Sequence, residues 1–117
     1  MNKTKNNIIF KQEKKRKIAY IPLSNNSKRV KILAADYDEL ERMDAGMPWL
    51  WSMDTVSIRH KRRLISVPRL LLDLGKGETV RYLDDDRMNL LRSNLLRGPG
   101  RANYRARDLL TDKVKRT

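Results

Sequence analysis

Three consecutive carboxylates, Asp84-Asp85-Asp86, are the densest set of hard oxygen donors in the chain. Carboxylates of this kind can gather a divalent cation, and an acidic turn between two strands is the other use of such a run. Asn94 and Asn103 stand nine residues apart. Their amides can order a loop, cap a helix or lend a neutral oxygen to a metal. The one histidine, His60, lies among Arg59, Lys61, Arg62 and Arg63 and reads as a surface residue. Arg87, Arg92, Arg97, Arg101, Arg105 and Arg107 crowd the last third of the sequence, followed by Lys113, Lys115 and Arg116. Guanidinium groups in this number suit phosphate, which they bind in a bidentate fork. Cysteine is absent, which removes disulfides, thiolate zinc sites and cysteine nucleophiles from consideration.

Lysine and arginine number 27 against 14 acidic residues, a formal net charge of +13 on 117 residues. Such a balance favours a polyanionic partner, most commonly nucleic acid. No apolar run approaches the roughly 20 residues needed to span a bilayer, so no membrane is expected as partner. The basic N-terminus is not followed by an apolar stretch of signal-peptide length, so the expected setting is cytoplasmic. Length and a hydrophobic content of 39% allow one domain with a small core.

The elements that must position these residues can be read from periodicity and breakers. Residues 1–17, with the cluster Lys14-Lys15-Arg16-Lys17, read as a flexible basic arm able to seek phosphates, ahead of a single domain over 18–117. Two β-prone runs, 18–21 and 30–33, flank the turn-rich Ser24-Asn25-Asn26-Ser27 and predict a hairpin. Asp36 and Glu39 form a capping-box pattern ahead of Tyr37, Leu40 and Met43, which recur at helical spacing until Gly46 and Pro48. Asp36, Asp38, Glu39, Glu41 and Asp44 make this short helix acidic, a solvated face turned from nucleic acid or a surface for a basic protein partner. Residues 49–58 and 62–67 predict a second hairpin, with Trp49 and Trp51 in the core and His60-Lys61 at a cationic tip. Pro68 suits the first turn of a helix that buries Leu70, Leu71, Leu72 and Leu74 and stops at Gly75. A strand over 79–83, the acidic loop and a return strand over 93–97 follow. Gly98-Pro99-Gly100 then breaks the chain before a final helix from Arg101 to about Arg116. The fold class expected is α+β: a small N-terminal antiparallel sheet with a short helix, then a ββα unit.

The run from Val80 to Leu95, VRYLDDDRMNLLRSNL, resembles the core motif of small phage and homing-type HNH endonucleases. Ile65 to Asp73 is similar to the helix that precedes that motif. Ile21-Pro22-Leu23 with Asp36 to Leu40 is similar to the N-terminal sheet and short helix, so the resemblance spans most of residues 20–107. It implies a ββα-metal fold that cleaves a phosphodiester with one divalent metal. The general base is a histidine on the first strand, oriented by an asparagine before the second. By that resemblance Tyr82 takes the base position, Arg81 the adjacent ligand position, Asn94 the orienting position and Asn103 the metal position on the final helix. The motif is degenerate here. A phenol with a pKa of about 10 is a poor base at neutral pH, and a guanidinium repels a cation. Pro68 also stands where the family often has a histidine.

The expectation is therefore a DNA-binding protein of HNH descent without cleavage activity and with no cofactor. It would hold duplex backbone through Arg59, Lys61, Arg62, Arg63, Arg87, Arg92, Arg97, Arg101, Arg105 and Arg107. One alternative is an active, atypical nicking endonuclease that uses Mg²⁺. Another is a protein-binding inhibitor of a DNA-acting complex, working through the acidic face.

Overall fold

Three of the hairpin turns in this chain are made without glycine. In the computed structural model, which describes residues 8–75, 77–99 and 106–110, Lys14-Lys15, Met53-Asp54 and Lys61-Arg62 all have positive φ. Two consecutive left-handed residues give the turn whose twist matches a right-handed ribbon, a place usually taken by Asn-Gly. These turns fold the chain into two three-stranded antiparallel sheets. Strands β1 (Ile9–Glu13), β2 (Arg16–Leu23) and β3 (Asn26–Leu33) form the first, in that order. Strands β4 (Leu50–Ser52), β5 (Thr55–His60) and β6 (Arg63–Ser66) form the second. Helix α1 (Ala34–Arg42) lies between the sheets in sequence, and α2 (Val67–Leu72) follows the second. A two-stranded ribbon, β7 (Val80–Tyr82) with β8 (Leu95–Arg97), comes last, with a short 3-10 turn over Ala106–Leu110. The class is α+β, as expected.

One face of each element makes the core. Ala19, Ile21, Val30 and Ile32 alternate on the inner face of the first sheet and meet Tyr37 and Leu40 of α1. Val56, Ile58 and Ile65 of the second sheet, Val67, Leu70 and Leu71 of α2, and Leu90 and Leu95 complete it. Trp49 is fully buried, as predicted; its indole N–H donates to the Ala45 carbonyl at 3.0 Å, and its ring lies 5.4 Å from that of Tyr37. The segment before β8 joins the first sheet: Lys31 N–H donates to Met88 O at 2.8 Å and Leu90 N–H to Lys31 O at 2.7 Å.

Several expectations need correction. Residues 8–17 are not a flexible arm. Ile9 to Glu13 pair in register with Tyr20 to Arg16, because β1 finds a ladder partner although it buries little apolar surface. Helix α1 starts two residues before the predicted capping box, with Leu33 at its N-cap and no side-chain cap, and Asp36 is buried in its first turn. The 49–58 strand is broken at Met53-Asp54 into two, and the tip of the next hairpin is Lys61-Arg62 rather than His60-Lys61. Helix α2 is capped by Ser66 and ends on Asp73, at φ 52°, before Gly75 is reached. The predicted final helix falls mostly outside the described residues. So do Arg101, Asn103 and Arg105.

Candidate nucleic-acid interface

Strand β7 places Tyr82 opposite Leu95 of β8, with Arg81 on the other face of the ribbon opposite Leu96. Asn94 closes the intervening loop. Its Oδ1 accepts from Asp84 N–H at 2.9 Å, its Nδ2 donates to Asn89 O at 2.9 Å, and its carbonyl accepts from Leu83 N–H at 2.9 Å. The residue is buried, so these bonds satisfy an amide that would otherwise be costly to desolvate. Both ends of the Asn94 amide are thereby spent on the loop backbone.

Tyr82 is half-buried. Burial raises its phenol above the ordinary value near 10, outweighing a hydrogen bond with Thr55 and the nearby Arg87 cation, which both lower it. The guanidinium of Arg87 sits 5.3 Å from the Tyr82 ring centroid. Val80, Arg81, Tyr82, Asp85 and Arg87 line a recess of ≈ 340 Å³. The recess thus presents a phenol, two guanidinium groups and the acidic side chain of Asp85.

The acidic loop folds on itself. Asp84 accepts from Asp86 N–H at 2.9 Å and from the Asn89 amide at 2.8 Å, and Asp86 accepts from Met88 N–H at 3.0 Å. The Asn89 hydrogen bond, followed by that from Asp86 N–H, holds the Asp84 carboxyl below its usual range. Among the described residues, no three His, Asp or Glu side chains converge as metal ligands. The side chains at the positions that the resemblance would assign to the base and the adjacent ligand, the Tyr82 phenol and the Arg81 guanidinium, do not suit Mg²⁺.

No family model, curated protein or solved structure matches this chain.

The geometry divides the predicted phosphate-binding residues. Arg59, Arg62 and Arg63 are exposed at the β5–β6 end, with Lys61 beside Arg62 in the turn. Arg87 stands apart, over Tyr82. Arg92, Arg97 and Arg107 also make contacts within the fold, although Arg92 and Arg97 remain exposed. Arg92 Nε donates to both Asp36 oxygens at 3.2 and 3.1 Å, and its Nη2 donates to Leu71 O at 3.4 Å. Arg107 donates to Leu70 O at 2.9 Å, to Leu71 O at 3.2 Å and to Glu39 at 3.1 Å. Arg97 donates to Leu72 O. Three arginines thus satisfy the orphan carbonyls at the C-terminal end of α2, where positive charge also complements the helix dipole.

The acidic face is reduced by the same contacts, since Asp36 and Glu39 turn toward these arginines while Asp38 and Asp44 remain exposed. His60 ends β5, half-buried, and its Nε2 has no hydrogen-bond partner among the described residues. Sequence reasoning passed over Lys11 of β1 as a surface cation. The signal available was alternation of Ile9, Lys11 and Glu13, which reads as a strand only once a partner is known.

Proposed function

We propose that this chain is a phage-type DNA-binding protein of HNH-endonuclease descent that holds duplex backbone in the host cytoplasm without cutting it. The observation that carries this reading is the Tyr82 recess. A strand–loop–strand closed by an asparagine supports a half-buried phenol with a raised pKa, where catalysis would need a base. Arg87 lies over its ring and suits a phosphate oxygen in place of a metal, with Arg81 and Asp85 also lining the recess. Together with the exposed cations of the β5–β6 end, they support sequence-independent backbone contacts, whose affinity falls steeply with salt.

Plasmid nicking with Mg²⁺ or Mn²⁺, run beside a gel-shift salt titration on the same DNA, tests this. The expected result is binding that weakens steeply with salt and no cleavage, with Arg87→Ala lowering affinity. Metal-dependent nicking lost in Asn103→Ala would establish the nicking-endonuclease reading instead. Failure to bind duplex at moderate salt would remove the DNA reading altogether.

A further inference from the structure

Strand β1 contributes almost nothing to the core. Ile9 and Phe10 are 42% and 48% exposed, and Lys11 and Gln12 are exposed as well. Since successive side chains point to opposite faces, exposure of four in a row leaves both faces of the strand open. β1 is also the edge of its sheet, with β2 its one neighbour there. What the β1–β2 ribbon presents is charge. Lys11 lies on one face, Lys17 on the other, and Lys14 and Lys15 form the exposed tip.

The ribbon is ordered by its own contacts. Lys17 sits 4.9 Å from the Phe10 ring centroid and Lys11 5.5 Å from that of Tyr20. The Tyr20 hydroxyl donates to Glu13 at 2.5 Å, and Glu13 also pairs with Lys31 at 3.6 Å. The carboxylate of the ribbon is thereby occupied, and the flanking cations face outward.

We infer that the β1–β2 ribbon is a preformed element that enters the major groove of duplex DNA, with its tip lysines and its two cationic faces reaching the phosphates on both walls. A surface that merely lies on a backbone needs cations on one side. A ribbon inside a groove meets phosphates on both sides, which matches Lys11 and Lys17 on opposite faces. The major groove, about 12 Å wide, admits a two-stranded ribbon. Lysines along an exposed edge also discourage the addition of a further protein strand. Phe10 lies beneath the Lys17 ammonium, an arrangement that serves a phosphate wall better than insertion into lipid.

This inference rests on the DNA-binding reading and is tested so that the two can fail separately. Lys14→Asn with Lys15→Gly removes both tip charges and installs the preferred residues for the same turn, so the ribbon keeps its fold. Binding to a 20-base-pair duplex is measured by fluorescence anisotropy across a salt series. The variant is expected to bind about tenfold more weakly at low salt, with the slope of log K against log salt reduced by about two. A duplex whose cytosines carry bulky glucosyl groups in the major groove should weaken the wild type to the level of the variant. If wild type and variant bind plain duplex with equal affinity and slope, the ribbon inference is overturned and the DNA reading stands. If only the glucosylated duplex shows no effect, the major-groove placement is overturned. If the wild type binds phosphatidylserine vesicles and not duplex, both readings fall.

Discussion

Arg92, Arg97 and Arg107 lie against the C-terminal carbonyls of α2, whereas Arg62, Arg63, Lys14 and Lys15 project from hairpin ends, and no carboxylate pairs with them among the described residues. The same residue types do opposite work in the two regions. Around α2 they bond helix carbonyls and pair with Asp36 and Glu39, so their charge is partly engaged by the fold. At the hairpin ends the left-handed turns hold cations out into solvent, where a polyanion can collect them. Each of the three arginines around α2 has a carboxylate beside it, Asp36, Glu78 or Glu39, so the pairs add nothing to the net charge of +13, and that excess lies on other residues.

The largest expected effect breaks the interior region. Arg92→Ala leaves the buried Asp36 carboxylate without the Nε donor that reaches both of its oxygens, and should cost about 2 kcal/mol of stability, discounted from a fully buried pair because Arg92 is itself 46% exposed. Urea denaturation measures the cost. The slope of DNA affinity against salt should stay unchanged in the folded variant. A lowered slope would mean that Arg92 reaches phosphate and that the contrast between the two regions is false.

The opposite experiment is Arg62→Ala with Arg63→Ala. These exposed residues make no internal contact that the fold depends on, so stability should move by no more than about 0.5 kcal/mol. The salt slope should fall by about two if both touch phosphate. A large loss of stability with an unchanged slope would place these arginines in the same class as Arg92.

How much of this was legible follows from the same contrast. The β2–β3 hairpin, the helix after Pro68 and the β7–loop–β8 plan each announce themselves by apolar alternation or by a breaker, and each is present. Tyr82 faces Leu95 across the ribbon, and the return strand, expected over 93–97, starts only at Leu95, after a 3-10 turn that holds Asn94. The interior arginines were not legible because their partners, Asp36 and Glu39, are 56 and 68 residues away in the chain. Strand β1 was not legible because it lacks an apolar stripe and because Lys14-Lys15 carries no turn signature. A turn made of two non-glycine residues at positive φ is a local cost that the flanking ladder must overcome.

That cost can be relieved. Met53→Asn with Asp54→Gly puts the preferred residues at φ 52° and 61° in the β4–β5 turn. Met53 is 90% exposed, so no core packing is lost. Stability should rise by about 1 kcal/mol, read as a higher urea midpoint at unchanged slope. No gain would mean that the ladder, rather than the turn residues, sets the energy of these hairpins.

The smallest effect is one of pH, and it bears on the exposed region. The hydrogen bond from Tyr20, and then the Lys31 charge, hold the Glu13 carboxyl below its ordinary value of 4.5, while the same hydrogen bond raises the Tyr20 phenol above 10.0. A carboxyl with a lowered folded pKa stabilises fully above its unfolded value, and that contribution is lost as pH falls through the folded value. A phenol with a raised folded pKa stabilises below its unfolded value, and that contribution is lost as pH rises through the folded one. The β1–β2 ribbon should thus be held best between these limits and loosen first on the acid side, below the ordinary carboxyl range. Amide exchange of β1 against pH, compared with that of β5, reads this directly. Tyr20→Phe should flatten the acid limb for β1 and leave β5 alone. Because Glu13 is only half-buried, the effect should also shrink at high salt. An acid response equal in both sheets would show instead that the ribbon and the core open together, and that the charges of β1 are as much a part of the fold as those around α2.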